Sequence, residues 1–396
     1  MIKLRKHILP LICGLLLLAC VEPFTPNIPN SNQSFIVVDG TITDQPGPYT
    51  VSLSKSAELA NDTEIVSGAA VYIEEENGVS EQLTESSNGK YVTSNIQGKV
   101  GNKYRLTFTY EGQQYESAWE TLPASATLDS IYFQGESRGA VGSEEDIVGV
   151  QFFVDNHSAD VEPKYFRFQW SETWKYNSFW QSYYDYVGND ESVATLNPLH
   201  TCWGSKQPVG INLATTENLI ENRISRHKLG FITGFGERFT IKYSQLVSQY
   251  TISENEYFFW KNLQESNEEL GNLFDKQPAK VIGNIINVTN PDEPVLGYFS
   301  ASGLIEKRIF VTNREVPIAL IRRIPCTPLD TLLKSDFGDE YEAELQREIN
   351  ESGKFFYDFV YNDFSPFPIG AFLALPGCAD CRKKGGVPTK PEFWDD

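Results

Sequence analysis

Four cysteines in the C-terminal half of the chain are the residues with the most chemical character: Cys202, Cys326, Cys378 and Cys381, of which the last two form the motif Cys378-Ala379-Asp380-Cys381. A redox pair belongs at a helix N-terminus in a thioredoxin-like unit, which the flanking sequence does not offer. A zinc site would need all four thiolates. An even number of cysteines in an exported chain favours two disulfides, with three possible pairings. We therefore expect a disulfide-pinned C-terminal tail and no metal.

Other patterns that carry catalysis are scarce. Only His157, His200 and His227 follow the leader segment, and they stand in unrelated contexts. The sequence contains no His-Glu-Xaa-Xaa-His motif and no glycine-rich phosphate loop that opens a helix. We expect a protein that is not an enzyme and holds no cofactor. The many carboxylates keep a glycan or peptide hydrolase as an alternative, because two of them could form a glycosidase-like pair.

Half of the residues between Tyr165 and Tyr186 are aromatic. The first part, from Tyr165 to Trp170, alternates regularly and predicts a core strand. The second part predicts either a stacking surface for a ligand or partner, or an aromatic-rich loop that packs internally. The residues of this possible surface are Trp174, Tyr176, Phe179, Trp180, Tyr183, Tyr184 and Tyr186.

The first twenty residues resemble a bacterial lipoprotein leader. Lys3, Arg5 and Lys6 precede an apolar run that is too short to span a bilayer and ends in Leu17-Leu18-Ala19-Cys20. This ending resembles a lipobox, in which the cysteine thiol takes a diacylglycerol and the new N-terminus is acylated. We expect residues 1–19 to be a signal peptide and Cys20 to be the lipid attachment site, which gives a protein that is anchored to the membrane. The alternative is an ordinary signal peptide with a chance cysteine.

Length and charge limit the class of protein. Removal of residues 1–19 from 396 leaves 377 residues, which suggests two or three domains. The net charge falls from −20 to −23 because Lys3, Arg5 and Lys6 leave with the leader. So acidic a chain repels nucleic acid, and no nucleic-acid partner is expected.

The distribution of apolar residues predicts a mainly β protein. Residues 20–33 are rich in proline and asparagine and predict a lipidated tether. Residues 34–121 show about seven short strands separated by turn signals, which is typical of an immunoglobulin- or fibronectin-like β-sandwich. Residues 122–396 predict a larger β-rich domain with helical insertions and the disulfide-pinned tail. One helix is expected after the capping box Ser253-Glu254-Asn255-Glu256, with Gly271 as its stop.

An ordered set of short motifs resembles a known family, the lipoproteins of Bacteroidota grouped as domain of unknown function 4249. The motifs are the lipobox, the strand from Phe35 to Thr43, Gly47-Pro48-Tyr49-Thr50-Val51, Cys202-Trp203, Gly283-Asn284, Gly297-Tyr298-Phe299, Cys378-Ala379-Asp380-Cys381 and Pro391-Glu392-Phe393-Trp394. No single motif is diagnostic, but the set spans almost the whole mature chain.

The resemblance implies a location and a partner but no activity. Members of the family are typically predicted outer-membrane lipoproteins and are often encoded beside a TonB-dependent outer-membrane receptor. The implied role is a non-enzymatic accessory that captures or gates a nutrient for such a transporter, anchored in the outer membrane and facing the cell surface. The alternative is a structural or adhesive component of the cell envelope or of a motility or secretion assembly.

Overall fold

The chain forms mostly β-strands, which confirms the prediction of a mainly β protein. The computed structural model describes residues 34–56, 64–139, 146–160, 162, 164–195, 199–233, 236–268, 281, 283–321, 326 and 329–395. The predicted signal peptide, Cys20 and the tether to residue 33 therefore lie outside the described residues. The strands of the first half are β1 (Ile36–Thr43), β2 (Thr50–Lys55), β3 (Glu64–Ile65), β4 (Ala70–Glu75), β5 (Ser80–Gln82), β6 (Thr84–Ser87), β7 (Lys90–Val92), β8 (Lys103–Tyr110), β9 (Gln113–Ser117), β10 (Glu120–Thr121), β11 (Thr127–Arg138), β12 (Ile147–His157) and β13 (Tyr165–Asn177).

The second half adds strands and the helices. The strands are β14 (Tyr184–Gly188), β15 (Glu191–Ala194), β16 (Thr201–Lys206), β17 (Asn212–Thr215), β18 (Arg223–Thr233), β19 (Lys242–Ile252), β20 (Ile285–Asn287), β21 (Leu296–Thr312), β22 (Asp330–Leu333), β23 (Phe355–Asn362) and β24 (Ser365–Ala374). The α-helices are α1 (Glu254–Glu268), α2 (Lys334–Phe337), α3 (Tyr341–Asn350) and α4 (Pro376–Ala379). Short 3-10 turns occupy Ile318–Leu320, Gly338–Glu340 and Cys381–Lys384.

Residues 34–121 build two facing sheets around one core. Strands β8 and β4 alternate strictly, so that Tyr104, Leu106 and Phe108 point inward while their neighbours stay at the surface. The core does not close within this range, because it also takes Ile285 from β20 and Phe299 from β21. The core of this range is therefore completed by strands that come more than 160 residues later in the sequence.

Strand β21 joins this sandwich to the rest of the protein. Its first part pairs in parallel with β1, from Val37↔Leu296 to Thr43↔Ser302. Its second part pairs with β19, from Thr251↔Gly303 to Lys242↔Thr312. Seventeen extended residues span up to roughly 55 Å. The chain thus enters the described body beside the start of β21, far from the end at Thr312.

The second body is a two-layer β structure. Strands β13, β19 and β21 form one layer, and β11, β12 and β18 form the other. Phe166, Phe168 and Val247 fill the space between the layers together with Phe152 and Val154. The regular alternation after Tyr165 is thereby explained, because one face of β13 belongs to this core.

A small module follows at the C-terminus. Strands β22, β24 and β23 form an antiparallel sheet, and helix α3 packs on it through Tyr341 and Leu345. The stretch after Asp330 begins with strand β22, and its helices follow.

Helix α1 begins where the sequence predicted, and half of the capping box is formed. Ser253 Oγ accepts a hydrogen bond from the Glu256 N–H at 3.2 Å. The carboxylate of Glu256 does not return to the Ser253 N–H but turns inward, where it accepts from Trp260 Nε1 and Ser300 Oγ. The predicted stop at Gly271 lies outside the described residues.

Candidate functional site

The four C-terminal cysteines form two disulfides, Cys202–Cys381 and Cys326–Cys378, with Cα–Cα distances of 5.8 and 5.9 Å. This confirms the expected staples and selects one of the three pairings. It leaves no thiolate among them for zinc or for a redox pair. In the part of the chain that the structure describes, no cluster of three or more His, Cys, Asp or Glu side chains could hold a metal ion.

The C-terminal tail is held against the far end of β21. Trp394 is buried and packs edge-on against Trp203 and Phe310, at centroid distances of 6.4 and 5.6 Å. The Arg308 guanidinium lies 3.5 Å over the ring of Phe393. Trp203 also exchanges backbone hydrogen bonds with Val387. The motifs Cys-Trp and Pro-Glu-Phe-Trp thus meet at one clasp, and their role there is structural.

The first residues of the predicted aromatic surface are used internally. Trp174 packs on Gly204, where a Cβ atom would come within 2.4 Å of the indole. Tyr176 is buried and donates a hydrogen bond to the Cys381 carbonyl at 2.7 Å. The Trp180 ring is edge-on to Phe179 and to Tyr357, at 5.1 and 5.3 Å. For these residues the alternative of internal packing describes the structure better than an exposed platform.

The remaining three residues of that stretch differ from one another. Tyr186 belongs to the core of the C-terminal module and donates a hydrogen bond to Glu342 Oε2. Burial and this carboxylate raise the pKa of the Tyr186 hydroxyl. Tyr183 and Tyr184 are exposed, at 58% and 46%. A partner surface within the predicted stretch is thus limited to Tyr183 and Tyr184.

The family motifs Gly-Asn and Gly-Tyr-Phe form a buried polar junction around Glu120. The Glu120 carboxylate accepts hydrogen bonds from Tyr298 Oη (2.6 Å), Ser253 Oγ (2.9 Å) and Asn284 Nδ2 (3.1 Å). Asn284 also bonds both backbone groups of Phe299, with Nδ2 to the carbonyl and Oδ1 from the N–H. The junction ties together β10, β21 and the start of α1.

Glycines make the close approach at this junction possible. Gly297 has φ +93°, and a Cβ atom there would lie 1.9 Å from the Val38 carbonyl oxygen. A Cβ atom at Gly283 would lie 1.6 Å from the carbonyl oxygen of Gly297. Position 297 requires glycine, because its backbone is left-handed and the close approach leaves no room for a side chain.

A second buried carboxylate, Glu256, supports an arginine that is stacked between two rings. Arg167 Nε lies 3.8 Å from Glu256 Oε1, and the guanidinium carbon lies 4.7 Å from the ring centroids of both Tyr250 and Trp260. Burial raises the pKa of the Glu256 carboxyl, while the charge of Arg167 and the hydrogen bonds from Ser300 and Trp260 oppose that rise. The result is a rigid stack on the face of β13 that lies away from the core.

A pocket of about 720 Å³ lies beside this stack. We call it the edge pocket; its lining consists of Gln169 from β13, the loop Gln207–Ile211, and Trp260, Leu263 and Gln264 from α1. It forms because β13 loses its neighbour there. Strand β16 pairs with β13 up to Glu172↔Lys206, and β17 resumes at Phe168↔Asn212. Five residues of loop thus face three residues of strand, and the extra length bulges outward.

The loop sequence accounts for this bulge. Pro208 has no N–H to donate to a ladder, and Gly210 lowers the preference for an extended strand. The pocket could not be predicted from the sequence of β13, because Gln169 alternates with apolar residues as an ordinary surface residue of a strand does. The available signals were the Pro-Xaa-Gly step between two strand patterns and the aromatic face of the helix that follows Ser253.

The described chain contains no helix that is long and apolar enough to cross a membrane. No curated protein and no solved structure shows significant similarity to the chain. The model of the family described as domain of unknown function DUF4249 matches residues 21–308. This range includes the Glu120 junction, the Arg167 stack and the edge pocket, but not the lipobox or the motifs that contain Cys378 and Trp394. With almost three quarters of its length matched, the chain belongs to the DUF4249 family.

Proposed function

We propose that the protein is a lipid-anchored, non-enzymatic accessory of a TonB-dependent transporter, held on the surface of the outer membrane by Cys20, and that it captures a nutrient in the edge pocket. The observation that carries this proposal is the chemistry of the pocket lining. The described lining residues are apolar or carry amides, and none has a side chain that titrates near neutral pH. Such a lining can hold a ligand, whereas acid–base catalysis requires a positioned titratable group.

The direction of the chain supports the same proposal. The tether leads into the body beside Val37 and Leu296, at the start of β21. The edge pocket lies further along the sheet, where Gln169 pairs with Ser248 and Ser248 with Glu306. A tether of 13 residues after Cys20 spans at most roughly 45 Å, which allows the body to reach a neighbour in the same membrane. The pocket is then open to ligand while the lipid holds the body beside Leu296.

Co-purification from detergent-solubilised outer membrane tests the transport role. The full-length lipoprotein carries an affinity tag at its C-terminus, and bound proteins are identified by mass spectrometry. We expect a TonB-dependent receptor at near-equal amount. Recovery of the lipoprotein without any such receptor would contradict the proposal.

A structural or adhesive role is the second candidate, and one observation favours it. The β23–β24 hairpin carries Tyr361, Phe364 and Phe367 at exposures of 56%, 95% and 72%. Exposed aromatic groups of this kind are typical of protein contacts. A strain that lacks the gene separates the two candidates: loss of growth on particular nutrients favours capture, and loss of adhesion or envelope integrity favours a structural role.

A further inference from the structure

The edge pocket combines an aromatic wall with amide groups and carries no charge among its described lining residues. Gln169 and Gln207 can each donate and accept hydrogen bonds. Trp260 supplies a flat apolar surface, and Ile211 and Leu263 extend it. A charged ligand would find no countercharge on these residues, so the lining suits a neutral ligand that is polar along its edges and apolar on its faces.

The tryptophan is fixed before any ligand arrives. Its Nε1–H donates to Glu256 Oε1 at 3.0 Å, and its ring stacks on the guanidinium of Arg167 at 4.7 Å. Glu256 is in turn fixed by Ser300 Oγ at 2.5 Å. A side chain held in this way loses little conformational freedom on binding, which favours affinity. The buried ion pair therefore serves to orient an aromatic surface.

The strand edge adds hydrogen-bonding groups. Residues 169–171 of β13 have no ladder partner on this side among the described residues, because β16 ends at Lys206 and β17 begins at Asn212. Three residues are too few to align an extended peptide as an added strand, which needs a continuous free edge. They are sufficient to bond one or two hydroxyl groups that point at the sheet.

We propose that the edge pocket binds a neutral oligosaccharide, with one sugar ring stacked on Trp260 and its hydroxyl groups bonded by Gln169 and Gln207. The inference rests on the proposed capture function, and it names the class of nutrient. Sugar rings have apolar faces that stack on an indole, and their neighbouring hydroxyls pair with side-chain amides, which carry a donor and an acceptor side by side. A neutral peptide is the competing class, and the experiment includes it.

The test is binding by the full-length protein purified in detergent. Maltohexaose, cellohexaose, xylohexaose and chitohexaose are the saccharide probes, and the hexapeptide Gly-Ser-Gly-Ser-Gly-Ser, blocked at both ends, is the peptide probe. Each is titrated by calorimetry up to 5 mM. We expect at least one saccharide to bind and the peptide not to bind. Binding of the peptide alone, or of no probe, overturns the assignment.

Variants of two lining residues test whether the saccharide binds in the edge pocket. Gln207→Ala changes an exposed loop residue and is expected to weaken saccharide binding at least fivefold without altering the melting temperature. Trp260→Phe keeps an aromatic wall, and Trp260→Ala removes it, so affinity should fall in that order. Gln82→Ala, at an exposed glutamine of β5, is the matched control and should bind like the native protein. Unchanged affinity in both Gln207→Ala and Trp260→Phe would show that the saccharide binds elsewhere.

The saccharide-binding experiment and the receptor co-purification experiment can fail independently of each other. A receptor that co-purifies with a protein that binds none of the saccharides contradicts the ligand class and leaves the accessory role in place. A saccharide that binds in the pocket of a protein without a receptor partner contradicts the accessory role and supports the site.

Discussion

Among individual side chains, Glu256 is the one on which most of the described site depends. It is fully buried, yet it neutralises Arg167 and bonds Trp260 and Ser300. A buried ion pair contributes little net stability when it is intact, but removal of one partner leaves the other charge without compensation. The value of Glu256 therefore lies in the position that it imposes on its neighbours.

Replacement of Glu256 by alanine tests this dependence. We expect Glu256→Ala to lower the free energy of unfolding by about 3–5 kcal/mol, because Arg167 keeps a buried charge without a partner. Urea denaturation followed by circular dichroism measures the loss. Glu265→Ala, at an exposed glutamate of the same helix, is the control and should stay within about 0.5 kcal/mol of the native protein. Equal stability of the two variants would contradict the structural importance of the pair.

His227 gives the protein a predictable sensitivity to acid. Burial lowers the pKa of its imidazole to about 4, whereas a histidine in the unfolded chain titrates near 6.5. Below pH 6.5 the His227 imidazole is therefore protonated in the unfolded state, while it stays neutral in the folded state. The stability that comes from neutral His227 is complete above pH 6.5 and is lost as the pH falls toward 4.

The variant His227→Gln isolates this effect, because glutamine can still donate to Asn212 Oδ1, which His227 Nε2 contacts at 2.7 Å. Between pH 8 and pH 5 we expect the native protein to lose about 1–2 kcal/mol more stability than the variant. Urea denaturation at both pH values provides the comparison. The same loss in both proteins would show that His227 does not titrate in this way.

At the level of strands and loops, the clearest features are the two disulfides that close the C-terminal part. Cys202–Cys381 joins residues 179 apart in sequence, and Cys326–Cys378 joins residues 52 apart. Both converge on α4 and the turn after it, beside the clasp formed by Trp203 and Trp394. The tail has little regular structure of its own there, so covalent links take the place of a larger core.

The two links should differ in their effect on stability. In the chain-entropy model the longer loop contributes about 5 kcal/mol and the shorter about 4 kcal/mol. We expect the double variant Cys202→Ser/Cys381→Ser to melt at a lower temperature than Cys326→Ser/Cys378→Ser, with both below the native protein. Calorimetric melting under non-reducing conditions gives the order. A native-like melting temperature in both variants would be inconsistent with disulfides that hold the tail.

Local sequence patterns predicted the strands and helices better than they predicted the contacts between distant parts of the chain. The alternation of β8 and the start of α1 at Ser253 follow from local pattern, and the structure has both. The inward turn of Glu256 could not be predicted, because it depends on Ser300, 44 residues away in sequence. For the same reason the edge pocket was not predicted: it arises from the distance between two strand pairings and not from any motif.

For the molecule as a whole, the long strand β21 separates the two ends that matter for its proposed role. The chain enters beside Leu296, and the disulfide-held tail packs beside Phe310. A lipid on Cys20 would thus hold the body beside Leu296, while the edge pocket lies further along the sheet.

The anchor itself can be tested simply. We expect Cys20→Ser to prevent acylation, because the thiol that takes the lipid is gone. Metabolic labelling with an alkyne fatty acid, followed by membrane fractionation, measures incorporation and location. The native protein should carry label and pellet with the outer membrane, and the variant should lose both properties. Labelling of the variant would exclude Cys20 as the attachment site.

The most direct test of nutrient capture is the growth of a strain that lacks the gene, on a panel of neutral oligosaccharides as sole carbon source. We predict lost or slowed growth on one or a few of them, restored by the native gene but not by Cys20→Ser or by Gln169→Ala/Gln207→Ala, while Gln82→Ala restores it fully. Growth equal to the parent strain on every oligosaccharide, together with a defect in adhesion or envelope integrity, would contradict nutrient capture and favour a structural role.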